Sequence, residues 1–519
     1  MDDGRVGSKS ICSGLEIDSG DGGSQLEKWP FSGATGGELP GSIQIMKTLP
    51  AWTLTLSVLC TGGLSAKDWP HFRGPNGDNS LPDSKIATSF PKEGPKVLWS
   101  VDVSQGYGGA AISGDEVFFM DRVDQEKDVL TCVGLKDGKE RWKFEHAVPG
   151  RIMHPGSRTV PTVEADAVYC SGGFGHVYCV DRKSGEKRWV LDVAKVFGAQ
   201  PPRFGYAVHP IIRGDLCIIA PIGEAVGLVA VDKKTSKMVW KTGSIGDSHS
   251  SPVLVKLLGK EVVVMPGVSN GTMTVKGFNP KDGREVFVYR EEIGSGRFNP
   301  IPNLTVVNTD TAVMTGGYGK GTRVLKFTEN DGAVSVRKSG NLSAGATIHP
   351  PLKVGDRLYM TAGSGRGGGS RFGRFRGGRD RGGPSGRPGG RPGGEGSRPG
   401  GGGRPPGGGG QAGAQSQSGL IAMDSSGKIH WATGSSPALG GGSLINAGGI
   451  IVSQDGGDGT LRLIKPGAAY KELASGKVFS KEPGSELWAP LALANGKLVM
   501  RSNKEVVCVD LGVASEEKE

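Results

Sequence analysis

Residues 177–189 read VYCVDRKSGEKRW, and the prediction of the fold starts from this stretch. A run of strand-forming residues ends at Asp181, a polar turn contains Gly185, and a second strand carries Trp189. By itself the stretch predicts a β-hairpin. Its importance comes from repetition along the chain. Clear copies occupy residues 132–142, 229–240 and 421–431, and weaker copies occupy residues 276–287 and 325–336.

A second pattern accompanies the hairpin and sets the number of repeats. It is a turn pair followed by a continuous run of strand residues, which we interpret as the inner strand of a blade. The eight pairs are Gly114-Asp115, Ala165-Asp166, Gly214-Asp215, Gly259-Lys260, Thr309-Asp310, Gly355-Asp356, Gly448-Gly449 and Gly496-Lys497. Trp142, Trp189 and Trp240 lie 47 and 51 residues apart. A period of about 40–50 residues with about four strands is typical of a β-propeller.

The two ends of the repeat region complement each other. Residues 506–510 (VVCVD) begin the hairpin pattern without its tryptophan strand, whereas Val97-Leu98-Trp99 is a tryptophan strand without its first half. We therefore predict an all-β fold, an eight-bladed β-propeller of four-stranded antiparallel blades over residues 97–511. Pairing of the N- and C-terminal strands closes it and removes an exposed sheet edge. The seventh blade, around residues 461–473, has the least regular sequence.

The remaining segments lack the repeat. Residues 46–66 contain a lysine, an apolar run and a small-residue end, which together predict a secretory signal peptide. We interpret residues 1–45 as an upstream mis-start, 67–96 as an irregular N-terminal arm, and 512–519 as a tail. After signal cleavage no stretch is apolar for long enough to span a bilayer. Residues 364–418 interrupt blade six, and their glycine, arginine and proline content predicts a disordered insertion.

The net charge of the chain is concentrated in that insertion. Of the formal charge of +10, the insertion contributes +8, because it holds ten arginines against Asp380 and Glu395. The rest of the chain is close to neutral, which is not typical of a nucleic-acid-binding domain. We interpret the insertion as a solvated loop or as a contact for a polyanion. Nucleic acid is not an expected partner.

The repeat A/C-x-D-x-x-x-G-x-x-x-W resembles that of the PQQ-like propeller family, which comprises quinoprotein alcohol dehydrogenases and non-catalytic relatives that scaffold outer-membrane protein assembly. Residues 177–189 and 422–431 carry the resemblance best, and the arm residues 69–75 resemble the start of similar propellers in planctomycete-type bacteria. The resemblance implies that tryptophan and glycine dock each blade on the next. The docking residues it implies are Trp99, Trp142, Trp189, Trp240, Trp431, Gly138, Gly185 and Gly427.

The catalytic features of that family do not carry over to this sequence. Cofactor-binding members have two adjacent cysteines, and this chain has no such pair. It also has no Cys-x-x-Cys-His haem motif and no matching set of calcium ligands. We therefore expect no catalytic residue, no metal and no cofactor. PQQ with calcium is expected only under the alternative function given below.

Polar residues recur near the starts of the innermost strands, which line the mouth of a propeller channel. A ring of imidazoles and guanidiniums there would hold an anion or a metal, or supply acid–base groups. The alternative is that these side chains satisfy loop backbone groups around a wet channel. The candidates for binding at the channel mouth are Arg158, Arg203, His209, His249, Arg297, Asn299, His349 and Trp488, with His154 in a similar place.

Two further features have structural alternatives. Cys132, Cys179 and Cys508 share one repeat position with alanines, which indicates a small buried slot rather than a reactive thiol. A disulfide between Cys170 and Cys179 stays open as an alternative to two free thiols. Residues 455–459 (DGGDG) suggest a calcium loop but also suit a plain hairpin turn.

These observations predict a function as well as a fold. We expect an exported bacterial propeller, monomeric, that acts as a binding or scaffolding module in the periplasm or cell envelope. Its partner would be an envelope protein or a polyanion. The alternative is a quinoprotein-like oxidoreductase, a PQQ-dependent alcohol or sugar dehydrogenase with a diverged cofactor site.

Overall fold

The structure is a computed structural model that describes residues 68–512 apart from 203, 294–299, 318–320, 343 and 363–417. The predicted mis-start and signal peptide, and nearly all of the insertion and tail, lie outside the described residues. The described strands form eight sheets, and each contains a blade of four antiparallel strands. One sheet has a fifth, short strand that pairs in parallel. The first strands of neighbouring sheets contact one another and form the inner ring. The predicted eight-bladed β-propeller is confirmed.

The strands are numbered in chain order. Before the first complete blade come β1 (Ser80–Leu81) and β2 (Lys96–Asp102). Blade 1 contains β3 (Ala110–Ser113), β4 (Glu116–Val123), β5 (Lys127–Gly134) and β6 (Glu140–Ala147). Blade 2 contains β7 (Thr162–Val163), β8 (Ala167–Ser171), β9 (His176–Asp181) and β10 (Lys187–Asp192), and the short helix α1 (Val193–Phe197) follows it. Blade 3 contains β11 (Ile211–Arg213), β12 (Leu216–Ile219), β13 (Val229–Asp232) and β14 (Met238–Lys241).

The second half of the ring repeats the same order. Blade 4 contains β15 (Val253–Leu257), β16 (Lys260–Ser269), β17 (Thr272–Phe278) and β18 (Glu285–Glu292). Blade 5 contains β19 (Thr305–Asn308), β20 (Thr311–Thr315), β21 (Thr322–Asn330) and β22 (Ala333–Leu342). Blade 6 contains β23 (Leu352–Val354), β24 (Arg357–Ala362), β25 (Gly419–Asp424) and β26 (Ile429–Ala432). Blade 7 contains β27 (Leu444–Ala447), β28 (Ile450–Gln454), β29 (Leu461–Ile464) and β30 (Glu472–Gly476), and blade 8 contains β31 (Ala492–Ala494), β32 (Lys497–Arg501) and β33 (Glu505–Asp510) with β2.

The recurring turn pairs join the first and second strands of each blade. Gly114, for example, lies between β3 and β4 with a φ of +61°, a conformation that glycine adopts without strain. The continuous apolar runs are therefore the second strands, such as β4, and not the innermost ones as we predicted from the sequence. They are apolar throughout because each second strand lies between two other strands and between two neighbouring blades. Blade 7 is as regular as the others, and β1 extends its sheet.

The hairpin of the opening stretch joins the third and fourth strands, and its tryptophan reaches the following blade. Trp142 donates its indole N–H to the carbonyl of Arg182 at 2.9 Å. A Cβ placed on Gly185 would lie 2.6 Å from the same ring, so only glycine permits this approach. Trp99, Trp189 and Trp431 donate in the same way to the carbonyls of Leu135, Lys233 and Gly467.

Two of the implied docking positions differ from this arrangement. Trp240 packs against Gly283, but its indole nitrogen is buried and has no hydrogen-bond partner among the described residues. A Cβ placed on Gly427 would lie 2.7 Å from Leu342 and not against a tryptophan, because the weak copy in blade 5 has no tryptophan. Gly138 does lie against an indole, that of Trp99. The contact between blades therefore depends more on a glycine at the point of closest approach than on the kind of side chain that packs against it.

The ring closes between its two ends. In blade 8, β2 pairs antiparallel with β33, with Val97 opposite Val509 and Trp99 opposite Cys508. The outer strand of this blade therefore comes from the N-terminal side of the propeller, and the other three strands come from its C-terminal side. The predicted pairing of N- and C-terminal strands is confirmed.

The propeller has two unlike faces, which we name from the strand order. The lower face carries the turns between first and second strands and between third and fourth strands. The upper face carries the turns between second and third strands and the connections from one blade to the next. The insertion leaves β24 and returns to β25, so its attachment points, Ala362 and Ser418, are on the upper face.

The N-terminal arm lies across the inner ring from the lower face. Trp69 exchanges two backbone hydrogen bonds with Ile112 at the end of β3, and the carbonyl of Pro70 accepts from the amide of Val163 in β7. Further along, β1 pairs with β27. Within its described residues the arm contains the short strand β1, and it is anchored successively to blades around the ring.

Two side chains of the arm reach the inner strands. Phe72 stacks on His209 with 3.8 Å between ring centroids. Arg73, which is 3% exposed, donates from Nη1 to the carbonyl of Leu304 at 3.1 Å. Burial lowers the pKa of this guanidinium to about 10. The arm therefore reaches into the inner ring as far as His209 and Leu304.

Candidate upper-face binding site

Aromatic side chains from successive blade connections form a row on the upper face. The ring centroids of Trp488 and Tyr107 are 5.6 Å apart, and those of Tyr107 and His154 are 6.2 Å apart. Phe204 continues the row at 5.7 Å from His154 and 5.2 Å from His249. All but Tyr107 are half-buried, so the row presents ring surface to solvent. We call these five side chains the aromatic row.

An acid–imidazole pair lies beside the row. Nδ1 of His154 and Oε2 of Glu486 are 3.5 Å apart. Both residues have a φ of +61°, which non-glycine residues rarely adopt and which accumulates at functional sites. The side-chain amide of Gln105 donates from Nε2 to the hydroxyl of Tyr107 at 3.2 Å. Burial raises the pKa of Tyr107, and the nearby Glu486 carboxylate acts in the same direction.

Arg158 lies next to the row, but its guanidinium donates to backbone carbonyls of its own loop. Its Nη1 donates to the carbonyl of Gly156 at 2.7 Å, and its Nη2 donates to the carbonyls of Met153, at 2.8 Å, and His154. The guanidinium also lies over the Tyr107 ring at 5.6 Å. Burial lowers its pKa to about 10. These contacts satisfy loop backbone groups, which was the structural alternative for this residue.

The predicted ring of histidines is not assembled. His209, which precedes β11, is buried beneath Phe72 of the arm, and its Nδ1 accepts from the amide of Val160 at 2.8 Å. His349 is also buried and lies against the backbone of Trp488. Among the described residues no contact joins either of them to His249. Arg203, Arg297 and Asn299 lie outside the described part of the chain.

The burial of His209 predicts a pH dependence of stability. Desolvation lowers the pKa of this imidazole to about 3, whereas in the unfolded chain it has its ordinary value near 6.5. Between these values the unfolded chain binds more protons, so the stabilising contribution is complete above pH 6.5 and is lost as the pH falls towards 3. We expect about 2–3 kcal/mol less unfolding free energy from this group at pH 4.5 than at pH 7.

Denaturant unfolding at both pH values measures this effect, with His209→Gln as the comparison. The variant is less stable at pH 7 but loses less on acidification than the unsubstituted protein. Equal losses in the two proteins would show that His209 is not the group responsible.

The cysteines and the aspartate-rich turn have structural roles. All five described cysteines are buried free thiols, including Cys170 and Cys179, and burial raises the pKa of Cys179 to about 12. Asp455 accepts from the amide of Gly457 at 2.9 Å, and Asp458 accepts from that of Thr460 at 3.0 Å, as in a plain turn. Over residues 68–512, apart from the gaps, no group of three acidic, histidine or cysteine side chains is placed to hold a metal ion. In the same part of the chain no helix is long and apolar enough to cross a membrane.

Sequence reasoning missed three members of this site: Tyr107, Phe204 and Glu486. They lie in connections of different length that the repeats do not share, so no pattern aligned them. A glutamate and a histidine in left-handed backbone conformations carry no sequence signal comparable to a glycine turn. Trp488 and His249, which were among the candidates, do belong to the aromatic row.

Comparison with known proteins agrees with this fold. The family model for outer membrane protein assembly factor BamB matches residues 83–228 and 173–375, which together exceed half of the chain. Quinoprotein alcohol dehydrogenase PedH of Pseudomonas putida is 24% identical over 162 residues, 30% of this chain. That match covers 26% of PedH, so the chain spans about a quarter of this curated relative.

Two solved structures illustrate the same architecture. BamB from Moraxella catarrhalis is 13% identical, with a TM-score of 0.50, and the match covers 82% of this chain and 98% of that one. Quinohemoprotein alcohol dehydrogenase ADHIIG from Pseudomonas putida HK5 is 10% identical, with a TM-score of 0.54, and the match covers 88% and 82%. At these identities the likeness shows the fold alone. From the family match, the chain belongs to the propeller family described as outer membrane protein assembly factor BamB.

Proposed function

We propose that this propeller is an exported, monomeric binding module of the periplasm or cell envelope that holds an envelope protein on its upper face. The observation that carries the proposal is the aromatic row, four of whose five rings are half-buried and shared among successive blade connections. Clustered aromatic side chains of this kind form the energetic centres of protein interfaces. The membership of the BamB family supports the same function.

The polar groups near the row favour binding over catalysis. Arg158 donates to three carbonyls of its own loop, and His209 is covered by Phe72 of the arm. A planar, anionic quinone such as PQQ with calcium needs free cationic groups and a set of oxygen ligands. Over the described residues no group of three acidic, histidine or cysteine side chains is placed to hold a metal ion, which supports a function without this cofactor. We therefore propose that the protein functions without PQQ.

Capture of a partner from envelope extract tests the proposal. The double variant Phe204→Ala, Trp488→Ala removes two half-buried rings, and we expect at least a tenfold loss of the captured partner, about 1.4 kcal/mol. The matched control is Met238→Ala, Val239→Ala, which removes exposed apolar side chains from the outer strand of blade 3. Circular dichroism and thermal unfolding must be unchanged in both variants.

Two results would overturn this function. One is equal capture by the double variant and the control, which would place the contact elsewhere. Deletion of residues 364–418 then identifies or excludes the insertion as the contact. The other is saturable quinone absorbance on incubation with PQQ and calcium, together with dye-linked oxidation of an alcohol or sugar, which would support the oxidoreductase alternative.

A further inference from the structure

We propose that the upper-face site recognises an arginine side chain on an extended segment of the partner, bound between Glu486 and the rings of Trp488 and Tyr107. This inference rests on the proposed function and makes it more specific, because it states the chemistry that the partner must present.

The charge of the site is that of an incompletely neutralised carboxylate. Over the described residues, the one ion pair within 4 Å of Glu486 is with His154, at 3.5 Å, and an imidazole is cationic only when protonated. The Glu486 side chain is 28% exposed, so a ligand can reach it. Arg158, which lies beside the row, donates to backbone carbonyls, and no described ion pair joins it to this carboxylate. A cationic ligand would complete the pairing.

The rings beside Glu486 are suited to the same ligand. A guanidinium lies favourably over an aromatic face within about 6 Å of the ring centroid. The protein already shows this interaction, because Arg158 lies over Tyr107 at 5.6 Å. Trp488 is the ring type that binds cations best, and it is half-buried 5.6 Å from Tyr107. A second guanidinium can therefore stack on the half-buried ring of Trp488.

The backbone holds the carboxylate where it is needed. Glu486 has a φ of +61°, and the amide of Trp488 donates to its carbonyl at 2.9 Å, so the acid and the indole are fixed two residues apart in one tight turn. Strain of this kind persists where the surrounding structure enforces it, commonly at binding sites. Arginine suits the site better than lysine, since its planar guanidinium stacks on a ring and pairs with a carboxylate at the same time.

The experiment uses the full chain and a short synthetic probe. The probe is the pentapeptide acetyl-Gly-Gly-Arg-Gly-Gly-amide, and the comparison peptide carries citrulline, which has nearly the same shape without the charge. The indole N–H resonance of Trp488 is followed by NMR during titration. We expect a saturable shift with the arginine peptide and at least tenfold weaker binding of the citrulline peptide.

The variants connect that binding to the residues named. Glu486→Gln keeps the size of the side chain and is expected to weaken binding of the arginine peptide at least tenfold. Glu482→Gln, an exposed acid of the same connection, is the matched control and is expected to bind as the unsubstituted protein does. Equal affinity for the two peptides, or undiminished binding by Glu486→Gln, would overturn the inference.

The outcome is separable from that of the proposed function. Loss of partner capture in the Phe204→Ala, Trp488→Ala variant, without any arginine selectivity, would keep the scaffold function and reject arginine recognition. Arginine-selective binding together with unchanged partner capture in that variant would reject the upper face as the partner's contact and keep the arginine site.

Discussion

Replacing Arg501 by methionine is expected to lower the free energy of unfolding by about 3–5 kcal/mol. The side chain is 2% exposed and comes from β32 of blade 8. It donates to the carboxylate of Asp121 at 3.0 Å and to the carbonyls of Met120 at 2.6 Å and Ser104 at 3.0 Å. Methionine fills a similar volume but leaves a buried carboxylate and two carbonyls without this donor, and unpaired buried groups are strongly destabilising.

The measurement is equilibrium unfolding in denaturant, with Arg213→Met as the matched control. Arg213 pairs with Glu261 at 2.7 Å, but its side chain is 50% exposed, and such a surface pair contributes at most about 1 kcal/mol. We expect Arg501→Met to lower the free energy of unfolding several-fold more than Arg213→Met does. Similar losses would mean that the Arg501 network does not stabilise the junction between blades 8 and 1.

Replacing Trp69 by alanine is expected to lower the free energy of unfolding by a similar amount, about 3–5 kcal/mol. The indole is 1% exposed and belongs to a core cluster shared with blades 1 and 8. A Cβ on Gly74 would lie 3.0 Å from the Trp69 ring, so the turn of the arm at Gly74 packs directly against the indole. The substitution leaves a cavity beside the arm and weakens the attachment of the arm to the inner strands.

Lys85→Ala, an exposed change in the same arm, is the control and is expected to alter stability by less than about 0.5 kcal/mol. Limited proteolysis distinguishes local release of the arm from loss of the whole fold. Cleavage between residues 68 and 96 in Trp69→Ala, with the propeller fragment still intact, indicates local release. A variant as stable as the unsubstituted protein would show that the arm contributes little to the ring.

Repetition made the fold predictable from the sequence. The hairpin around Asp181 and Gly185 recurs at a nearly constant interval, and each copy needs a neighbour to cover its apolar faces, so a closed ring was the simplest solution. The missing half-hairpins at Trp99 and Cys508 predicted the closing blade. The assignment of inner strands was wrong, because a run that is apolar on both faces marks any strand between neighbours and not only the innermost one.

The site was much less predictable. His209 and His249 occupy similar sequence positions before inner strands, yet one is covered by Phe72 and the other belongs to the aromatic row. The difference arises from the arm, which has no repeat and whose path across the ring depends on contacts with distant residues such as Leu304. Tyr107 and Glu486 meet because blades 7, 8 and 1 are adjacent in space. Ring closure was predicted, but the connections that carry Tyr107 and Glu486 share no repeat, so no sequence pattern aligned the two side chains.

Closure by β2 and β33 also fixes the order of events during synthesis. The strand at residues 96–102 is made well before its partner at residues 505–510. Likewise, the amide of Ala87 donates to the carbonyl of Leu511 at 2.8 Å, and this hydrogen bond cannot form before Leu511 has been made. Blades 1 to 7 can form as the chain emerges, whereas the ring cannot be completed before residues 505–510 have been made. A chain truncated before residue 505 would therefore have two open sheet edges, and such edges promote aggregation.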